Sequence, residues 1–378
     1  MIFYICFTYY VMAKENYIVS ALKYRPSTWD SLVGQSNISS TLQHAIKTGH
    51  LAQAYLFCGP RGVGKTTVAR LFAKSINQFD DNDQKDFSYN IFELDAASNN
   101  SVEDIRSITD QVRIPPQIGK YKVYIIDEVH MLTQAAFNAF LKTLEEPPPH
   151  AVFILATTEK HKIIPTILSR CQVYDFHRIT IKDIAAHLAW IAKQENVKAD
   201  SDALHVIAEK ADGALRDALS VFDQMVNFCD SEITYDAVIS NLNILDHDYY
   251  FKISEFIIKN NIPDALLLFD EILLNGFDGH HFINGLGNHF RNLLVCKDKI
   301  THKLLETGDA TKSKYLDQSS IFKSRLLVDG LRIISDADIN YKASKNQRLH
   351  IELALMKLCS LTVTGEKKKP FDYPIIPP

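Results

Sequence analysis

The run Gly59-Pro60-Arg61-Gly62-Val63-Gly64-Lys65-Thr66-Thr67 carries the clearest chemistry in the 378-residue chain. It fills every fixed position of the pattern G-x-x-x-x-G-K-[ST]. Glycines let a backbone curl until several N–H groups point inward, and a helix beginning there adds a partial positive charge. That is an anion site. In such a loop Lys65 reaches the β- and γ-phosphates of a nucleotide and the Thr66 hydroxyl holds Mg²⁺.

Two carboxylates extend this chemistry. Asp127-Glu128 follows the apolar run Val123-Tyr124-Ile125-Ile126 directly. A carboxylate at the C-terminal end of a parallel strand, beside such a loop, faces the metal and the phosphates. Asp127 is therefore the expected Mg²⁺ ligand, and Glu128 the group that polarises an attacking water. His130 completes Asp-Glu-Val-His; on its own, a histidine after a strand reads as structural. Thr157-Thr158 ends the next apolar run, where a hydroxyl can bond the γ-phosphate, the lytic water or merely the turn backbone. Arg170, in Ser169-Arg170-Cys171, is either a surface charge or a cation offered to a neighbouring chain's nucleotide; such fingers supply ~10³–10⁵ in rate. Arg216, in Gly213-Ala214-Leu215-Arg216-Asp217, either reaches the phosphates of its own chain or pairs with Asp212 or Asp217.

The elements that must hold these residues follow from period and punctuation. Ala54–Cys58 reads as a buried strand entering the loop, and residues 68–74 as a helix leaving it. Further strands are expected at 91–94, 123–126, 152–156 and 173–176, with helices at 38–48, 101–112 and 134–144. Strands alternating with helices predict a doubly wound parallel sheet. After Arg178 no further strand is expected. Helices at 181–195, 202–210 and 215–228 read as a small lid, and apolar helical faces recur at 250–258, 265–274, 282–295, 321–334 and 349–361. Residues 78–89, with Asp80, Asp81, Asp83 and Asp86, read as a solvated connector.

Composition bounds the partners. Apolar content of 46% and charged content of 23% are those of a soluble globular protein. A net charge of −4 gives no overall field for nucleic acid, so any DNA contact must be local. The cysteines (Cys6, Cys58, Cys171, Cys229, Cys296, Cys359) form no C-x-x-C pair, which argues against a disulfide framework and for a reducing, cytoplasmic setting. Met1–Met12 is apolar and aromatic but too short to span a bilayer, so no membrane partner is expected. It reads as an upstream start, with Met12 as the natural one.

In this order the motifs resemble an AAA+ ATPase, an α/β RecA-like P-loop domain followed by a small helical lid and an all-α collar. Tyr24-Arg25-Pro26, Val33-Gly34-Gln35, the phosphate loop, Leu94-Asp95-Ala96-Ala97-Ser98, Asp127–Leu132, Asn138–Pro148, Ala156-Thr157-Thr158, Leu168-Ser169-Arg170-Cys171 and Gly213–Leu219 are similar, more narrowly, to the gamma/tau family of bacterial DNA polymerase III. That family is the ATPase motor of the sliding-clamp loader. The resemblance covers roughly residues 17–361. It implies ATP and Mg²⁺ as cofactors, and as partners the other clamp-loader subunits in a five-subunit ring, the sliding clamp and primer–template DNA. It implies an N-terminal extension at 1–16, an ATPase domain at 17–178, a lid at 179–243, a collar at 244–362 and a disordered tail at 363–378. Residue by residue, it places Tyr24, Arg25, Pro26 and Val33 near the adenine. It makes Thr157 a phosphate sensor, Arg170 a finger acting in trans and Arg216 a second sensor acting in cis.

The sequence departs from the family in two places. Family members commonly carry four zinc-binding cysteines between the loop helix and the second strand; residues 78–90 contain none, so no zinc is expected. The chain also resembles the short gamma form, or a truncated one, rather than the longer tau form that continues into helicase- and polymerase-binding segments. The family is catalogued with the polymerase holoenzyme, but this chain is not expected to polymerise. DNA would meet the start of the 101–112 helix at Asn99, Asn100, Ser101 and Arg106, with a solvated helix cap as the plain alternative. Two other readings compete. One is a ring subunit that does not hydrolyse, which the presence of Lys65, Thr66, Asp127 and Glu128 opposes. The other is a different AAA+ DNA motor, which would normally end in a winged helix.

Overall fold

The computed structural model describes residues 18–78, 87–229, 232–242, 245–305 and 309–361. The N-terminal stretch to residue 17, most of the acidic connector and the tail lie outside them. Chain contacts divide the molecule into two compact units, with the break between Ile233 and Thr234.

In the first unit the strands β1 (Ala54–Cys58), β2 (Ile91–Asp95), β3 (Lys122–Asp127), β4 (Ala151–Thr157) and β5 (Gln172–Asp175) form one sheet in the order β2-β3-β4-β1-β5. All pairings are parallel. Side chains alternate across it. Tyr55, Phe57, Val123, Ile125, Val152 and Ile154 pack on one face; Leu56, Tyr124, Ile126, Phe153 and Leu155 pack on the other. Both faces are buried, which is why β3 and β4 read as unbroken apolar runs rather than alternating ones.

A short α1 (Ser20–Lys23) precedes the sheet. Helices α2 (Ser36–Thr48) and α3 (Lys65–Ile76) cover the first face through Ile38, Leu42, Val68 and Phe72. A single turn, α4 (Phe87–Asn90), leads into β2. Helices α5 (Val102–Val112), α6 (Gln134–Glu145) and α7 (Pro165–Leu168) cover the second face through Ile105, Phe137, Phe140 and Ile167.

The lid-like helices are α8 (Ile181–Gln194), α9 (Ser201–Lys210) and α10 (Leu215–Phe228). Here the expectation of no strand after Arg178 is corrected. Lys198–Ala199 and Glu232–Ile233 form a small parallel ladder. Two residues per strand are too few to carry an alternating signal, and backbone groups make the ladder.

The second unit is helical: α11 (Tyr235–Asn241), α12 (His247–Ile258), α13 (Ile262–Leu274), α14 (Gly279–Val295), α15 (Asp309–Ile321), α16 (Ser324–Tyr341) and α17 (Gln347–Ser360). Its core is built by Ile253, Phe269, Phe282, Phe290, Leu327 and Leu355. Helix α15 escapes an apolar pattern because much of what it buries is polar. Gln318 accepts from His289 Nε2 at 3.1 Å and donates to the Phe251 carbonyl at 2.8 Å, while Tyr315 sits 3.1 Å from His289 Nδ1. Burial pushes the His289 imidazole down to about 3 against the opposing effect of its bond to Gln318, so burial keeps the ring neutral. Among the described residues, no helix is long and apolar enough to cross a membrane.

Candidate nucleotide site

Parallel register brings the chemistry to one edge of the sheet. Asp95 lies beside Asp127, and Cys58 beside both Thr157 and Asp175, so the C-terminal ends of all five strands meet. The phosphate loop leaves β1 at this edge. Its glycines are needed for their backbone: Gly59 has φ 147° and Gly62 φ 76°, and a Cβ on Gly59 would come within 2.5 Å of the Phe176 carbonyl oxygen. The loop residues Gly62, Val63 and Gly64 lead into α3, whose N-cap is Gly64. Among the described residues no protein acceptor takes the N–H groups of those three residues. They are the donors an anion would use.

Lys65 is buried and folds back over the loop, donating to the Gly59 and Pro60 carbonyls at 2.8 Å each. Burial pulls its ammonium below the ordinary range, and the Glu128 and Asp127 carboxylates pull it back. Thr66 Oγ1 donates to Asp127 Oδ2 at 2.7 Å. A hydroxyl and a carboxylate so paired are hard oxygen donors, which fits Mg²⁺. Glu128 follows in left-handed backbone (φ 47°), its N–H on Asp127 Oδ1 at 2.9 Å. Its Oε2 accepts from the Thr158 N–H at 3.2 Å and the Thr158 hydroxyl at 3.0 Å.

The two threonines therefore divide. Thr157 is fully buried; its hydroxyl accepts from the Glu159 N–H at 3.0 Å and lies 3.1 Å from His130 Nδ1. Thr158, not Thr157, touches Glu128. Consecutive residues at a strand end point to opposite sides, a signal present in the sequence.

Arg216 is brought to the loop from α10. Its N–H donates to the Gly62 carbonyl at 3.4 Å, and a Cβ on Gly62 would lie 3.0 Å from that of Ala214. Its guanidinium is exposed. The alternative pairing with Asp212 does not form, because Asp212 pairs with Arg178.

The N-terminal residues separate. Tyr24 donates to Glu195 at 2.5 Å and sets its ring edge-on to Trp190 at 5.6 Å, both on or just after α8. Arg25 is half-buried on the α3 side, where its Nε donates to Thr67 Oγ1 at 3.3 Å. Burial lowers its pKa, with the Arg70 and Arg216 charges adding to the effect and the Glu93 and Asp127 carboxylates opposing it. Pro26 and Val33 are half-buried near it in the chain, and Gln35 beyond them donates to the His177 carbonyl at 2.7 Å. Arg61 is exposed on the loop.

Arg170 lies elsewhere. It precedes β5, whose far end, Asp175, is the end beside the loop. The intervening residues span roughly 15 Å of extended chain. Arg170 Nη2 pairs with Glu145 at 2.6 Å, and Nη1 donates to the Thr166 carbonyl at 2.7 Å.

At the start of α5, Ser101 is committed to the helix cap: its hydroxyl accepts from the Asp104 N–H at 3.2 Å and donates to that carboxylate at 2.7 Å. The Asn100 carbonyl takes the Thr133 N–H, and Arg106 is exposed. Glu103 and Asp104 in the first turn make this helix start a poor phosphate seat.

Strand order, phosphate loop, Asp-Glu at the β3 end and helical lid together define an AAA+ ATPase fold. Family profiles agree segment by segment. Residues 34–180 match the one described as DNA polymerase III, delta subunit. Residues 183–231 match the DNA polymerase III clamp loader subunit, ATPase lid domain. The gamma subunit of DNA polymerase III from Buchnera aphidicola subsp. Baizongia pistaciae (strain Bp) is 35% identical, over 92% of this chain and 98% of that one. The tau subunit from Bacillus subtilis (strain 168) is 37% identical over 89% of this chain. This chain belongs to the gamma/tau family of DNA polymerase III subunits. It spans 62% of the length of the Bacillus subtilis relative. The Thermotoga maritima RuvB Holliday junction branch migration motor is a similar solved structure, 23% identical over 62% of this chain and 79% of that one, with a TM-score of 0.48.

Proposed function

We propose that this chain is an ATPase motor subunit of a sliding-clamp loader, using ATP binding and hydrolysis to open the clamp and place it on primed DNA. The observation that carries the reading is the Thr66–Asp127 contact at 2.7 Å, set between a phosphate loop with free N–H donors and the Glu128 carboxylate. Loop N–H groups and Lys65 bind the phosphates. Thr66 and Asp127 hold Mg²⁺, which when bound neutralises charge on the β- and γ-phosphate oxygens. Glu128 takes the proton of the attacking water, with Thr158 as its hydrogen-bond partner. Arg216, anchored beside Gly62, ties the lid to the phosphates.

Arg170 completes the site of a neighbour. Its place at the opposite end of β5 supports a role in trans, since its own loop is out of reach. Each nucleotide is then cleaved only where two subunits meet, within a five-subunit ring that holds the clamp and primer–template DNA. Of the DNA candidates, Arg106 has the freest side chain. Zinc has no part in this reading, since no cysteine occurs in residues 78–90, and neither has polymerisation.

The reading is tested by Lys65→Ala in the full chain. Nucleotide affinity should fall by more than about a hundredfold, and clamp- and DNA-stimulated hydrolysis should vanish with it. Wild-type affinity in that variant would overturn the assignment of the loop.

A further inference from the structure

His130 lies between two carboxylates. Its Nδ1 is 3.3 Å from Glu128 Oε2 and its Nε2 is 3.2 Å from Glu159 Oε2, and only 8% of its side chain is exposed. Glu159 is in turn paired with Lys162. The ring spans the ends of β3 and β4, because Glu159 follows Thr158 directly.

Other histidines of the chain are satisfied differently. His150, His302 and His350 each set Nε2 on a backbone carbonyl, those of Val112, Cys296 and Ala337. Such contacts fasten one segment to another. His130 instead turns both nitrogens to side chains, Nδ1 to the Thr157 hydroxyl at 3.1 Å and to Glu128, Nε2 to Glu159, and Glu128 is the base of the proposed reaction. A carboxylate offers only acceptors, so its orientation is set by the donors around it. Around Glu128 Oε2 the donors are the Thr158 N–H and the Thr158 hydroxyl, and His130 Nδ1 stands 3.3 Å away, shared with the Thr157 hydroxyl at 3.1 Å.

We propose that His130 is a positioning residue that fixes the orientation of the Glu128 carboxylate, with Glu159 holding the imidazole from its other side. The inference rests on Glu128 acting as the base. It requires no change in nucleotide binding, because neither His130 nor Glu159 touches the phosphate loop among the described residues.

The test uses the full chain and compares His130→Ala, His130→Asn and His130→Gln for ATP affinity of the chain and for kcat in the assembled, clamp- and DNA-stimulated state. Asparagine carries an N–H donor near the place of Nδ1, facing Glu128; glutamine carries one near the place of Nε2, facing Glu159. The alanine variant should lose about ten- to a hundredfold in kcat with affinity unchanged. Asparagine should recover most of that loss and glutamine little. A thermal melt and the affinity measurement show whether each variant is folded; if alanine unfolds, the asparagine–glutamine contrast decides. Wild-type kcat in the alanine variant, a parallel loss of affinity, or equal recovery by glutamine would overturn the inference. Glu128→Gln serves as the control. If it hydrolyses normally, the base assignment itself fails; if it is inactive while His130→Ala is normal, only the role of His130 fails.

Discussion

The two ends of the β-sheet treat their charged groups in opposite ways. At the C-terminal edge the polar side chains are bonded to one another or to the loop: Lys65 to the Gly59 and Pro60 carbonyls, Thr66 to Asp127, Thr158 to Glu128. Lys65 is buried, and the carboxylates beside it are half-buried. At the other end Arg170 is exposed and is held by one carboxylate, Glu145, and one carbonyl. The first end is organised to receive a ligand within one chain. The second presents a fixed cation outward, away from that ligand. The difference is what a site divided between subunits requires.

The sharpest way to break this comparison is Arg170→Ala. Nucleotide affinity of the single chain should be unchanged, while hydrolysis in the assembled state should fall by ~10³–10⁵. A loss of affinity in the isolated chain would mean that the arginine serves its own loop. Glu128→Gln acts at the other end. Affinity should be retained and hydrolysis should drop ~10²–10⁴, the usual reach of a positioned general base. If hydrolysis persisted, the carboxylate would be only a loop former. Glu145→Gln is the mildest change. The pair it removes is partly solvent-exposed, and such pairs are worth at most ~1 kcal/mol, so hydrolysis should change by no more than about fivefold. A loss as large as that of Arg170→Ala would show that Glu145 does more than hold the guanidinium at rest.

How much of this was legible in the sequence depends on how locally each feature is encoded. The phosphate loop and Asp127-Glu128 are contiguous strings that chemistry constrains residue by residue, and the strands that carry them are unbroken apolar runs. The strands form as read, with the loop leaving the end of β1 and Asp127-Glu128 at the end of β3. Thr158, Glu159 and His130 form one cluster only because β3 and β4 are adjacent in the sheet, and no local pattern states that adjacency. Tyr24 and Arg25, neighbours in a three-residue motif, part company because α1 ends between them: Tyr24 caps the helix in turn backbone and Arg25 follows outside it. One joins α8, the other α3. Helix α15 was invisible because it buries Tyr315, Gln318 and Ser319, so that much of its packing is paid in hydrogen bonds rather than apolar area. The Ser101 hydroxyl shows the reverse case: the cap was foreseen as an alternative, and the capping box spends the group that a DNA contact would have needed.

The claim that each chain holds half of two sites is tested most directly by mixing two inactive variants. Lys65→Ala keeps its arginine but cannot bind nucleotide; Arg170→Ala binds nucleotide but offers no arginine. In assemblies shown by mass to contain both chains, a nucleotide bound to the Arg170→Ala chain faces the intact arginine of its Lys65→Ala neighbour. Hydrolysis should return in the mixture to well above that of either variant alone. A mixed assembly as inactive as its separate components would contradict the account.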